Sequence, residues 1–185
     1  MKIPILHAGA GDLEAASETL AAAFEDYAWT RYVIPTTDYA ARLLTLQRLY
    51  LDYAHQHGIV GVTATGDGVI ALIPPSAPAP EEHTVEQIIA LHGDRLDRLI
   101  QSEPPAGAWR LETLGVRPEQ QGQGRASALL AFGLDAVRAR GGSIIALETS
   151  DRRNVRLYER HGFRITQNTE SAGRPPVWKM AASLR

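Results

Sequence analysis

Residues 109–140 read WRLETLGVRPEQQGQGRASALLAFGLDAVRAR. A short apolar run, Trp109 to Val116, meets a polar turn at Arg117 to Gln121. Gly122-Gln123-Gly124-Arg125-Ala126 follows, and then a segment in which Ala126, Leu129, Leu130, Gly133, Leu134 and Val137 recur at helical spacing up to Arg140. Strand, glycine-rich turn and helix together hold phosphate. The first N–H groups of a helix have no internal partner and point outward. The macrodipole adds partial positive charge at the same end. Gly122 and Gly124 can take positive φ and let an anion come close to the backbone. No Lys-Ser/Thr follows the last glycine, so this is not a Walker loop, and the third small residue and acidic partner of a dinucleotide fold are missing. The plain alternative is a surface turn that carries glycines for steric reasons. Turn, helix and the residues downstream agree better with phosphate binding.

The rest of the composition narrows the class. The chain has 185 residues, enough for one domain over 1–185 with its own core. Hydrophobic residues make up 44% and charged residues 22%, as in ordinary globular proteins. A net charge of −2 gives no support to nucleic-acid binding. There is no cysteine, which excludes disulfides, thiolate nucleophiles and Cys-ligated metals. His55 and His57 are two apart and do not share a helical face, so no metal site is expected. No basic-then-apolar leader pattern opens the chain and no apolar run reaches membrane length, so a cytoplasmic protein without a membrane partner is expected.

Outward from the central stretch, Ile3 to His7 reads as a first strand and Leu13 to Phe24 as a helix. Asp26 to Pro35 holds Tyr27, Trp29, Tyr32 and Val33 on an irregular stretch, either a core plug or the wall of an acceptor pocket. Thr36 or Asp38 can cap a long helix whose expected buried stripe is Leu43, Leu44, Leu46, Leu49, Tyr50 and Tyr53, ending at Gly58. Ile59 to Thr65, Gly66-Asp67-Gly68 and Val69 to Ile73 make a hairpin. Pro74 to Pro80 breaks the sheet. Two helical pieces follow, Thr84 to Leu91 and Gly93 to Ser102, with Leu91, Leu96, Leu99 and Ile100 apolar. Ser143 to Thr149 is a strand that suits parallel pairing with the central one. A short helix from Asp151 to His161 and two strands, Phe163 to Thr166 and Val177 to Ala181, complete the chain.

Gln121 to Ala126 fits the pattern Gln/Arg-x-x-Gly-x-Gly/Ala, and Arg153-Asn154-Val155-Arg156-Leu157-Tyr158-Glu159-Arg160-His161-Gly162-Phe163 supplies a Leu-Tyr-Glu helix followed by Gly-Phe. The two together resemble the signatures of the GNAT superfamily of N-acetyltransferases. Leu147 to Ser150, Arg153-Asn154, and Trp178 with Met180 are similar to the puromycin N-acetyltransferase-like branch. The resemblance implies an α/β (α+β) GNAT fold. Its mixed central sheet has six to seven strands flanked by helices, with a splayed pair of parallel strands that binds acetyl-CoA (coenzyme A) as co-substrate. It implies that Gln121, Gly122, Gln123, Gly124, Arg125, Ala126 and Ser127 cradle the pyrophosphate. The backbone at Leu114, Gly115 and Val116 would contact the pantetheine arm, and Asn154 the cofactor. Many members place that asparagine seven residues before the tyrosine, where this chain has Asp151.

Acetyl transfer to an amine needs the amine deprotonated, the thioester carbonyl polarised, and the leaving thiolate given a proton. Tyr158 falls on the family's general-acid position. A phenol with a pKa of about 10 facing a thiol near 8.5 makes proton transfer uphill but modest. Glu112, inside the central strand, is a candidate base acting through water, or one half of a structural pair with Arg110. Strict alternation would put Arg110, Glu112, Leu114 and Val116 on one face. Glu148 is the second candidate, and Glu81, Glu82 and His83 could approach from the loop. The expected reaction is acetylation of a primary amine on a small molecule by direct attack, in a protein that can be a homodimer. A non-catalytic acyl-CoA sensor and a protein or peptide acetyltransferase are the alternatives.

Overall fold

Strand-forming runs of Val, Ile, Leu and Thr assemble into one seven-stranded sheet in the computed structural model, which describes residues 3–99 and 102–184. The strands are β1 (Ile5–His7), β2 (Ile59–Thr63), β3 (Gly68–Ile73), β4 (Trp109–Val116), β5 (Ile144–Thr149), β6 (Arg164–Thr169) and β7 (Val177–Ser183). Their order is β1-β2-β3-β4-β5-β7-β6, and β4 with β5 is the parallel pair. The mixed α/β GNAT architecture expected from the sequence is therefore the one observed. The helices are α1 (Leu13–Phe24), α2 (Ala28–Val33), α3 (Tyr39–His57), α4 (Glu82–His92), α5 (Arg125–Ala139) and α6 (Arg152–Arg160).

The period-2 pattern of β2 and β3 sends alternate residues to opposite faces. Val60, Val62, Val69, Ala71 and Ile73 pack under Leu13 and Leu20 of α1 and Leu51 of α3. Ile59, Ile70 and Leu72 pack under Leu129, Leu130 and Leu134 of α5, in a cluster that also takes in Val155 and Tyr158 of α6. Each buried Val, Ile or Leu side chain contributes about 1.5–3 kcal/mol by leaving water.

Four expectations change. Ala28–Val33 is a helix, not an irregular stretch, with Val33 and Ile34 in a third core cluster. The buried stripe of α3 runs Leu43, Leu46, Gln47, Leu51, Ala54, while Leu44 faces solvent. The helical piece after α4 stops at Arg98, where Leu99 turns to extended backbone, and Ile100 lies outside the described residues. The alternation of β4 is broken. Thr113 sits opposite Ala71 and Leu111 opposite Leu72, so Glu112 is an extra residue in a β-bulge. Before the bulge Leu111 faces α5. After it Leu114, paired with Ile70, and Val116 face α5, while Thr113 and Gly115 face α1 and α3. Arg110 and Leu114 thus lie on opposite faces, because one inserted residue shifts the phase.

Candidate active site

β4 and β5 pair only at Trp109 with Ile145 and Arg110 with Ala146. Beyond that point β4 stays paired with β3 up to Val116, and β5 with β7 up to Thr149. The two parallel strands therefore part, and the edges that face each other across the gap have no strand partner. Backbone N–H and C=O groups so exposed must find partners elsewhere. A cavity of about 650 Å³ occupies the gap and continues under α2 and α3, lined by Leu114 and Thr113 of β4, Glu148 and Thr149 of β5, and Asn154 and Tyr158 of α6.

At the open end of the gap lies the glycine loop. Gly122 and Gly124 have φ of 74° and 83°, where a side chain would be strained. A Cβ on Gly122 would meet open space. Among the described residues, no backbone carbonyl receives an N–H from residues 122–127, whereas Ala128 already donates to Gly124 at 3.0 Å. Gln121 turns inward and its Nε2 donates to the Val116 carbonyl at 3.0 Å, closing the loop on the end of β4. The Arg125 side chain does not extend in front of the loop. Its Nε lies 3.0 Å from an Asp67 carboxylate oxygen, and Nη1 donates to Gln123 Oε1 at 2.8 Å. Burial alone would raise the Asp67 carboxyl, but hydrogen bonds from Thr63 and Thr65 and the Arg125 guanidinium outweigh it and hold the group below the usual range. Gly115 is a close approach: a Cβ there would come within 2.7 Å of Leu20 on α1.

Tyr158 is buried on α6, edge-on to Phe163 at 5.6 Å between ring centroids. Burial, helped by the neighbouring Tyr27, pushes its phenol well above the ordinary range, so it stays protonated. Asn154, one turn earlier on the same helix, donates from Nδ2 to Thr149 Oγ1 at 3.4 Å. Tyr27, read from the sequence as part of a core plug or an acceptor-pocket wall, lines the cavity and ties the α1–α2 junction to the end of β5. Its hydroxyl lies 3.2 Å from Thr149 Oγ1 and accepts from the Ser150 N–H. The aromatic cluster marked the stretch, but these hydrogen-bond partners lie more than a hundred residues away, beyond any local pattern. Glu112 lines the cavity and is paired with Arg110, so the structural pair that stood as its alternative reading is formed. Glu148 lies 4.0 Å from Lys179. Glu81, Glu82 and His83 are exposed, and Glu81 and His83 pair with each other at 3.2 Å, away from the cavity lining. Among the described residues, no group of three His, Asp or Glu side chains could hold a metal ion.

The family model described as "Acetyltransferase (GNAT) family" matches residues 21–163, from α1 through the glycine loop to the end of the Tyr158 helix. The chain belongs to the GNAT acetyltransferase family. It is accordingly an acetyl-CoA-dependent acetyltransferase. Solved structures share the fold. A histone acetyltransferase HPA2 and related acetyltransferase from Corynebacterium glutamicum is 24% identical, with 98% of this chain and 96% of that one covered at a TM-score of 0.75. The ribosomal-protein-S18-alanine N-acetyltransferase of Escherichia coli is 18% identical, with 98% and 93% covered at 0.56. A chain of the NatC complex bound to Gag peptide and CoA is 14% identical, fully covered both ways at 0.61. At such identities the likeness is one of fold, and the acceptor has to be argued from this GNAT chain's own cavity. No helix among the described residues is long and apolar enough to cross a membrane.

Proposed function

We propose that this GNAT enzyme moves the acetyl group of acetyl-CoA to the primary amine of a small molecule. The observation that carries the reading is the shape of the cavity. One flank is the freed edge of β4, which runs on into the loop of unclaimed amides, and another is walled by Trp29 of α2, Tyr50 of α3 and the Pro104-Pro105 loop. A deep pocket walled on that side by aromatic and aliphatic side chains suits a small acceptor better than a polypeptide. Leu147 to Ser150, Arg153-Asn154 and Trp178 with Met180 support a place near the puromycin N-acetyltransferase-like branch, and Asn154 does stand in the cavity wall.

Acetyl-CoA supplies an activated thioester. The N–H groups from Gly122 through Ser127, at the positive end of α5, suit its pyrophosphate, while the Gln121 N–H is already given to the Pro118 carbonyl at 3.3 Å. The freed edge of β4 at Leu114, Gly115 and Val116 suits the amides of the pantetheine arm, much as an added strand would, and Asn154 borders the same channel. The amine nitrogen attacks the thioester carbonyl carbon, the C–S bond breaks, and sulfur leaves with the electron pair. Tyr158 O–H, held neutral by burial, donates to that sulfur as it becomes negative. The proton lost by the amine passes to Glu112 or to water beside it, and the Arg110 partner sets where that carboxylate lies. A panel of primary amines with acetyl-CoA and detection of free thiol tests the reading. Thiol release with a subset of small amines is expected. Calorimetry with no heat on adding coenzyme A would end it, and turnover of peptides alone would move the acceptor to the protein class.

A further inference from the structure

The cavity is lined by two buried polar side chains, each with an oxygen that has no hydrogen-bond partner. Gln47 is 6% exposed, and its Oε1 has no hydrogen-bond partner. Thr113 is 8% exposed, and its Oγ1 has none either. Both line the same cavity, Gln47 from the buried stripe of α3 and Thr113 from β4 just past the bulge. An unsatisfied buried amide or hydroxyl destabilises the fold that carries it. Apolar residues surround Gln47 on its stripe, so a leucine would pack there without that cost. Leu43 and Leu46 precede it, and Leu51 follows one turn later.

The charges of the wall limit the chemistry further. Arg110 is paired with Glu112, and Lys179 faces Glu148 at 4.0 Å. Among the described residues lining the cavity, these are the only Lys or Arg side chains. No unpaired cation waits for a carboxylate or phosphate on the acceptor. The surrounding walls, Val33, Ile34, Leu43 and Leu46 with Trp29, are apolar and aromatic. His92, also in the lining, is buried and bonded through Nδ1 to the Ile88 carbonyl at 2.8 Å, and burial holds it neutral.

We infer that Gln47 and Thr113 are specificity-determining residues that recognise an uncharged hydrogen-bonding group, a hydroxyl or carboxamide, on the apolar body of the amine acceptor. The acceptor class is thus a hydrophobic amine with a neutral polar group remote from the nitrogen, not an amino acid or a phosphorylated amine. The inference rests on the acetyl-transfer reading of this cavity and narrows it.

Matched amines differing in one group test it. These are tyramine against phenylethylamine, and the para-carboxamide of phenylethylamine against its para-methyl analogue, with tyrosine as the carboxylate control. For the native enzyme kcat/KM is expected to favour the polar member of at least one pair by about tenfold or more, with tyrosine poorest. Gln47→Leu and Thr113→Val, on different elements, should each shrink that ratio while turnover of the apolar member and KM for acetyl-CoA hold. In the absence of ligand, Gln47→Leu should match or exceed the native Tm, which a purely structural amide would not allow. Thiol release from these amines with a ratio that neither substitution changes overturns the inference and leaves the acetyl-transfer reading standing. It would mean that water alone satisfies the two groups. Preference for tyrosine over tyramine overturns it as well. Binding of coenzyme A without turnover of any amine removes both.

Discussion

At the residue scale the proposed chemistry turns on one phenol. Tyr158 is enclosed by Phe163, Tyr27 and the core, and burial strongly disfavours its ionised form. Such a group serves as a donor across the whole working range of pH. Tyr158→Phe keeps the ring in the core and removes the O–H. We expect kcat to fall about 100-fold, the low end for an acid acting on a leaving group. KM for acetyl-CoA and Tm should stay near the native values. Steady-state kinetics with thiol detection checks this, and unchanged turnover at every pH would mean that the thiolate leaves unaided. Tyr158 and the glycine loop could be read from local sequence. Gln47 was partly legible too, since it stands four residues after Leu43 and four before Leu51 on the same helical stripe. A polar residue on an apolar stripe is the signal that would have marked it.

At the scale of elements two devices shape the gap. The bulge at Glu112 shifts the phase of β4, and the strand leaves β5 after Arg110. Strict alternation could not show this, because a bulge is set by pairing with β3 and leaves little trace in composition. The second device joins the β2–β3 turn to the start of α5. Asp67, with Thr63 Oγ1 donating to it at 2.7 Å, holds Arg125 and so the first turn of the helix. Removing that charge should cost about 2–3 kcal/mol, in the range of a hydrogen bond to a charged group. Asp67→Asn is therefore expected to lower Tm and raise KM for acetyl-CoA several-fold while kcat changes little. The folded carboxyl lies below its unfolded value of about 4. The contribution is thus complete above that value and is lost as pH falls through the depressed folded one. Acid titration of Tm should show a shallower limb in the variant than in the native protein, the remainder coming from Asp151, which the Arg153 hydrogen bond also holds below the usual range.

At the scale of the whole molecule the cavity wall formed by α2, α3 and α4 belongs to a hydrophobic cluster separate from the two that pack on the sheet. Arg95 reaches back from the tight turn after α4 to the Ile34 carbonyl at 2.6 Å, and Arg42 to the Leu91 carbonyl at 2.9 Å, so guanidinium groups cap the ends of α2 and α4. His92 sits inside this cluster. Burial lowers its pKa, more than the bond to Ile88 raises it, and burial with the nearby Arg160 lowers that of His161. A histidine kept neutral in the fold takes up a proton more readily when unfolded. Stability is therefore full above the unfolded value of about 6.5 and falls as pH drops below it. Tm should decline by a few degrees between pH ~7.5 and ~5.5. Calorimetry of His92→Gln should give a flatter profile, with a residual slope from His161. An unchanged slope would place the pH dependence elsewhere.

The sequence by itself determined the strand–turn–helix around Gly122 and Gly124, the helix that carries Tyr158, and with them the family. Those features are local: periodicity, glycine spacing and cap residues lie within a few residues of one another. Tertiary structure alone decided that Arg125 turns to Asp67, that Tyr27 clamps Ser150, that Glu112 bulges, and that Gln47 and Thr113 open on one cavity. Each of these joins groups on different elements. Where such groups meet depends on strand register and helix docking, which hydrophobic burial fixes for the whole sheet at once.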